Sequence, residues 1–421
     1  MSFSSLGLSA HLVRALAEAG YSEPTPIQAQ AIPALLRGGD VIASAVTGSG
    51  KTAAFVLPIL QELGSKRRPT PRVLRALVLV PTRELAAQVG QSIARYGAHQ
   101  TDRIKSVVIA GGGSLNPQRM ALRGGADVVV ATPGRLLDLI GEKALSLSTV
   151  TTLVLDEADK MLAMGFADEL QQVLALLPGR RQTVLTSATF PESVQTLATK
   201  LLRTPTRIEI APEPSRGGPA IEQRAIQVDP ATRVQLLLHL LGTLGWSRAL
   251  VFVATKYGAD HVSKKLSRAG VAAGAWHGDL SQGARNESLA AFKSGALRVV
   301  VATDIAARGI DIPHLACVVN YDLPRSPTDY LHRIGRTGRA GEKGAAVTFL
   351  GPSDEGHFRL IERRHGLTIA RERIEGYEPT LGVSEVPAGE KAAEGTGGIK
   401  GARKSKKDKL REAAAEEKPT T

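Results

Sequence analysis

One cysteine in 421 residues, Cys317, leaves no disulfide framework to build and fits a reducing compartment. It sits in the apolar run 316–319 and reads as a buried structural thiol rather than a reactive one. Aromatic residues make up only 4% of the chain, so its cores must come from Val, Leu, Ile and Ala, which the 43% hydrophobic content supplies. The opening residues lack the basic and apolar regions of a secretory leader. No apolar run approaches the roughly 18 residues needed to span a bilayer. A soluble, cytoplasmic protein is the expectation. Nine histidines are scattered without cysteine partners, which argues against a zinc site, including at His277-Gly-Asp279. Trp246 and Trp276 read as core residues rather than stacking platforms.

Positive charge, by contrast, is plentiful. Fifty-three Lys and Arg against 40 Asp and Glu give a net charge of +13, which favours a polyanionic partner such as nucleic acid. Charge alone also allows a basic protein with no such partner. The length suits two domains plus a tail.

Short β-branched or Leu-rich runs alternate with helical patterns, the signature of βαβ units and parallel sheets. Strands are expected at 40–43, 76–80, 106–110, 127–131, 153–156 and 183–187, with helices such as 52–63 and 83–96 between them. A Pro- and Gly-dense stretch, 211–220, reads as an interdomain linker. Alternation resumes with strands at 226–228, 249–253, 272–276, 299–302, 317–320 and 345–349. The expected division is a first domain at 1–210, a second at 221–375 and a disordered basic tail at 376–421, whose run 400–411 is a candidate nucleic-acid tether.

Two motifs carry the chemistry. Ala45-Val-Thr-Gly-Ser-Gly-Lys-Thr52 has Ala where the strict phosphate loop has its first Gly, yet keeps the working parts. Gly48 and Gly50 let the backbone approach phosphates, Lys51 can reach the β- and γ-phosphates, and Thr52 can ligate magnesium. Asp156-Glu157-Ala158-Asp159 ends an apolar run about a hundred residues later. Asp156 suits a metal and Glu157 an attacking water. An acidic pair capping the next helix is compatible with both roles. Together the motifs point to an NTPase.

Asp156-Glu-Ala-Asp159 also spells the signature of the DEAD-box RNA helicases, and the rest of the chain resembles that family from Phe3 to Phe349. Gly20-Tyr21 and Pro24-Thr-Pro-Ile-Gln28 look like its Q motif. Pro81-Thr-Arg-Glu-Leu85, Gly111-Gly112, Thr132-Pro-Gly-Arg135, Ser187-Ala-Thr189, Gln282-Gly-Ala-Arg285, Thr303–Asp311 and His332–Arg339 resemble its later motifs. One departure is Val46, where many members carry Gln. Asn116-Pro-Gln, Leu122-Arg-Gly-Gly125 and the short basic tail look most like the bacterial RhlE-type branch.

The resemblance implies two RecA-like α/β domains with parallel sheets, ATP and Mg²⁺, and RNA bound without sequence preference. Tyr21 would stack on adenine and Gln28 would read its edge. Thr47, Gly48, Ser49, Gly50, Lys51 and Thr52 would hold the phosphates, and Asp311 the ribose. Arg336 and Arg339 would reach the γ-phosphate. Pro81, Thr82, Arg83, Gly112, Thr132, Pro133, Gly134, Arg135, Arg285 and Thr303 would grip RNA. Ser187, Thr189, Asp159 and His332 would couple hydrolysis to closure. Arg333, Arg336 and Arg339 recur at a spacing that shares one face if helical, which is costly without an anion. Without ligands, the linker should leave the lobes loosely oriented. A monomer is the default expectation, with ribonucleoprotein or RNA-decay partners open. The rival readings are a non-catalytic RNA clamp, against which the intact Lys51, Glu157, Arg336 and Arg339 speak, and a DNA translocase of the same superfamily.

Overall fold

Alternation within each strand sets the layers. In the first half, β1 (Val41–Ser44), β2 (Ala76–Leu79), β3 (Ser106–Ile109), β4 (Val128–Ala131), β5 (Thr152–Leu155), β6 (Gln182–Ser187) and β7 (Thr206–Glu209) form one parallel sheet in the order β3-β4-β2-β5-β6-β1-β7. Ala76 and Val78 point into one apolar cluster, and Leu77 and Leu79 into another on the opposite face. Helices therefore cover both faces, and the central strands read as continuous apolar runs.

The second half repeats the plan. β8 (Ile221–Gln227), β9 (Ala249–Val253), β10 (Ala273–Trp276), β11 (Val299–Thr303), β12 (Cys317–Asn320), β13 (Gly344–Leu350) and β14 (Arg371–Glu372) run β10-β11-β9-β12-β13-β8-β14. Ala249, Val251 and Val253 face one cluster, Leu250 and Phe252 the other. Cys317 is fully buried, and burial pushes its thiol pKa up, as a structural thiol requires. Trp276 is buried in the core, and Trp246 packs half-buried against the other face.

The computed structural model describes residues 2–45, 49–65, 69–210, 221–307, 315–338 and 343–380. The linker expected at 211–220 and the tail from 381 onward lie outside them. Residues 376–380, assigned to the tail on sequence grounds, pack on the second lobe instead. Thr380 donates through its N–H and Oγ1 to Asp229 Oδ2 at 2.8 and 2.6 Å. Tyr377 sits 5.4 Å from the His239 ring. Two anchoring side chains in a mostly polar stretch give no periodic signal. Both lobes belong to one compact unit, Met1–Thr380, with Arg285 of the second lobe 2.8 Å from Glu84 of the first. Among the described residues, no helix is long and apolar enough to cross a membrane.

Candidate functional site

The carboxyl edge of the first sheet gathers the chemistry, as parallel sheets do. β1 ends at Ser44 beside Ser187 of β6, and the helix Lys51–Ser65 begins seven residues later. Thr47 and Gly48 lie outside the described residues. Gly50 has φ +94°, and a Cβ there would meet Gln28 Nε2 at 2.4 Å, so only glycine fits. Lys51 is buried and donates to the Ala45 carbonyl. Burial pushes its ammonium pKa down, while Asp156 and Glu157 pull it back. The Ser49 hydroxyl is buried with no partner, and Thr52 is half-buried in the first turn of the helix.

Gln28 is buried in the helix Pro26–Leu36. Its Oε1 accepts from Thr25 N–H at 3.0 Å, and its Nε2 donates to the Gly50 carbonyl at 3.2 Å. The amide thereby ties the Q motif to the phosphate loop. One lone pair and one N–H remain for a base edge. Tyr21 is exposed and meets Tyr96 edge to face, with centroids 6.4 Å apart.

Asp156 and Glu157 follow β5, and both depend on Thr186 of β6. The Thr186 hydroxyl donates to Asp156 Oδ1 and accepts from Glu157 N–H at 3.2 Å. Glu157 stands in the left-handed region, φ 56° and ψ 51°, a strained backbone for glutamate. Lys160 Nζ donates to Glu157 Oε1 at 2.6 Å, and Glu157 Oε2 is buried without a partner. Burial, reinforced by the charge of Glu157, raises the Asp156 pKa to about 6 despite the Thr186 bond and nearby ammonium groups. For Glu157, burial pushes up, but Lys160, Arg336 and Lys51 together hold the carboxyl below its ordinary value.

Asp159 Oδ2 accepts from Thr189 N–H at 3.0 Å and from its Oγ1 at 2.8 Å. Ser187 does not reach Asp159. Its Oγ donates to the Thr189 carbonyl at 2.6 Å and braces that turn.

From the second lobe, His332 and Arg336 face this cluster. Burial, aided by Lys160 and Arg336 and opposed by Asp159, pushes the His332 imidazole down to about 4, so it is neutral at physiological pH. Arg336 is buried and acts on Glu157. The shared-face expectation for Arg333, Arg336 and Arg339 does not hold, because the helix Pro327–Ile334 stops before Arg336. Arg333 is spent inside its own lobe, paired with Asp304 at 2.5 and 2.7 Å and lying 4.9 Å from the Phe252 ring centroid. Its charge needs no external anion. Arg339 and Asp311 lie outside the described residues.

The expected RNA-gripping residues line the same edges. Pro81 and Thr82 are buried where β2 gives way to the helix Arg83–Tyr96, and the Thr82 hydroxyl caps Leu85 N–H at 3.3 Å. Arg83 donates to the Gly111 carbonyl at 3.1 Å. Gly112, with φ +86°, leaves room for that guanidinium. Thr132, Pro133, Gly134 and Arg135 open the helix Pro133–Gly141, and Arg135 donates to the Gly113 carbonyl at 3.0 Å. Thr303 ends β11, half-buried, beside Val253 of β9. Arg285, expected on RNA, is buried. Its Nη2 lies 2.8 Å from Glu84 Oε1 of the first lobe, and its guanidinium sits 5.5 Å from the Trp276 ring centroid. His277 pairs with Asp260 at 3.2 Å.

Three residues escaped sequence reasoning. Thr186 and Glu84 sit inside or beside motifs already singled out, and Lys160 lies three residues after Glu157, a helical ion-pair spacing that was available to read.

Known proteins share this arrangement. Residues 25–197 match the family model described as DEAD/DEAH box helicase, and 232–341 match the helicase conserved C-terminal domain. The DEAD-box ATP-dependent RNA helicase CshA of Bacillus cereus is 42% identical over 362 residues, covering 86% of this chain and 67% of that protein. CshA of Geobacillus kaustophilus is 41% identical over 379 residues, covering 90% and 79%. The structure of S. cerevisiae Dbp5 bound to RNA and ADP BeF3 is similar with a TM-score of 0.79 at 34% identity, covering 88% of this chain and 95% of that one. Mss116p bound to ssRNA and AMP-PNP also scores 0.79, at 26% identity, covering 89% and 78%.

Proposed function

The chain belongs to the DEAD-box family of ATP-dependent RNA helicases, and on that premise we propose how its own residues divide an ATP-driven cycle of RNA remodelling and local duplex unwinding. The observation that carries this reading is the buried Glu157 beside Asp156 at the end of β5, with Oε1 held by Lys160, Oε2 without a partner, and Arg336 of the other lobe acting on it electrostatically.

The phosphates of ATP lie at the N-terminus of the helix Lys51–Ser65, where free N–H groups and the helix dipole favour anions. Thr47, Gly48, Ser49 and Gly50 bind them, and Lys51 exchanges the Ala45 carbonyl for a phosphate oxygen. Gln28 and Tyr21 hold the adenine, and Asp311 the ribose. Asp156 and Thr52 suit Mg²⁺: a buried carboxyl pushed up to about 6 is one that a cation would return to its ionised form. Bound magnesium would offset negative charge on the β- and γ-phosphates. Glu157 Oε2, the buried oxygen with no partner, takes the proton of the attacking water. Arg336 and Arg339 neutralise charge on the transferring group. Asp159, Thr189, Ser187 and His332 report hydrolysis to the cleft.

RNA runs across the carboxyl edges, held through phosphates and 2′-hydroxyls by Pro81–Arg83, Gly112, Thr132–Arg135 and Thr303, hence without sequence readout. The protein acts in the cytoplasm as a monomer. The RhlE-type likeness rests on Asn116-Pro-Gln and Leu122-Arg-Gly-Gly125.

The test is steady-state ATPase with single-stranded RNA, with matched DNA and with neither. RNA alone should stimulate strongly, Lys51→Ala should abolish nucleotide binding or turnover, and Glu157→Gln should bind ATP and RNA but stop turning over. Equal stimulation by DNA would move the substrate to a DNA translocase. RNA binding without any turnover would make the protein a clamp.

A further inference from the structure

Lys160 directly follows the Asp-Glu-Ala-Asp run, and nothing in the cycle above uses it. Its side chain is 4% exposed, in the short helix Ala158–Ala163. An ammonium is kept that far from water only for a strong partner, and here the partner is Glu157 Oε1 at 2.6 Å. The two oxygens of Glu157 therefore differ: Oε1 is taken, and Oε2 is buried with no partner.

We propose that Lys160 is a positioning residue for the general base, seizing one carboxylate oxygen of Glu157 so that the other is presented to the attacking water. This rests on the reading of Glu157 as that base.

The geometry fixes Glu157 at both ends. Its N–H is held by the Thr186 hydroxyl at 3.2 Å, its backbone occupies the left-handed region, and Lys160 holds the carboxylate. With only the carboxylate oxygen Oε2 left over, the side chain has little freedom to turn away. Simple neutralisation does not account for the contact, because Lys51 and Arg336 also act on Glu157. Fixing one oxygen, unlike lowering the local potential, requires a donor at hydrogen-bond distance. From the second lobe, His332 is electrostatically coupled to Lys160, and burial keeps its imidazole neutral, so it adds no like-charge repulsion to the ammonium.

The experiment compares wild type, Lys160→Met, Lys160→Arg and Glu157→Gln as full chains, measuring RNA-stimulated kcat, KM for ATP, RNA affinity and melting temperature. Methionine keeps most of the volume and removes the donor. Lys160→Met should lower kcat about tenfold or more, since a misplaced base loses most of its effect. KM and RNA affinity should stay within about twofold. Lys160→Arg, which restores a donor, should recover a substantial part of kcat. Wild-type turnover by Lys160→Met, with Glu157→Gln inert, would overturn the positioning role alone. So would a joint fall of kcat, ATP affinity and melting temperature that arginine does not rescue, since that describes packing. Normal turnover by Glu157→Gln would overturn the base assignment itself.

Discussion

Asp156 shows the local cost of a metal-binding carboxylate. Burial is the larger cause of its raised pKa, about 6 against an ordinary 3.8, with the charge of Glu157 adding to it. The folded protein thus binds this proton more tightly than the unfolded chain. Between those values the folded state gains stability as pH falls, and above pH 6 the penalty of an ionised buried carboxylate is fully present. Asparagine keeps the shape and cannot ionise. Asp156→Asn should therefore raise unfolding stability at pH 7.5 by up to about 3 kcal/mol, measured by urea titration with EDTA and no nucleotide. The gain should shrink toward pH 5, and Mg²⁺-dependent turnover should be lost. An asparagine variant no more stable than wild type at pH 7.5 would refute this account of the site's strain.

Turns and caps carry the residues proposed to bind RNA, and their demands are backbone demands. The turn after β3 places Gly112 at φ +86°, where an added Cβ would lie 1.7 Å from Arg83 Nη1. Gly112→Ala combines left-handed strain of about 1 kcal/mol with displacement of Arg83 from the Gly111 carbonyl. RNA affinity should fall while RNA-free ATP binding stays level, read by fluorescence anisotropy and nucleotide titration. An unchanged RNA affinity would leave Arg83 without a role on that face. Elements of this kind were largely legible in the sequence. The buried central strands announced themselves as apolar runs, and 83–96 was read to the residue, because Thr82 caps it and Gly97 follows it. β7 was missed because Ile208 is its only buried residue, and β14 because it is two polar residues long. The arginine spacing misled for a different reason. Periodicity presumes a continuous helix, and this one ends at Ile334, leaving Arg333 turned inward and Arg336 toward the cleft. No spacing rule reveals which lobe a side chain will face.

At the scale of the whole molecule the question is what holds the lobes together, since the linker residues fall outside the described structure. Glu84 and Arg285 form an ion pair across the cleft, with side chains only 10% and 6% exposed. Desolvating two charges offsets much of their attraction, so the intact pair adds modest net stability. Breaking it on one side is another matter, because it strands a buried charge in the interface. Arg285→Gln should therefore open the lobes. Paired fluorophores, one on each lobe, should report lower transfer efficiency, and RNA-stimulated turnover should fall because Arg336 no longer reaches Glu157. The double variant Glu84→Gln with Arg285→Gln removes the stranded carboxylate and should regain part of both signals, a coupling on the order of 1–3 kcal/mol in the cycle. If Arg285 instead grips RNA directly, as its place in the sequence suggested, the outcome differs. The double variant would then show no recovery of turnover, and Arg285→Gln would weaken RNA binding without changing the transfer efficiency of the free protein. The buried position of the guanidinium, between Glu84 and the Trp276 ring, favours the first result.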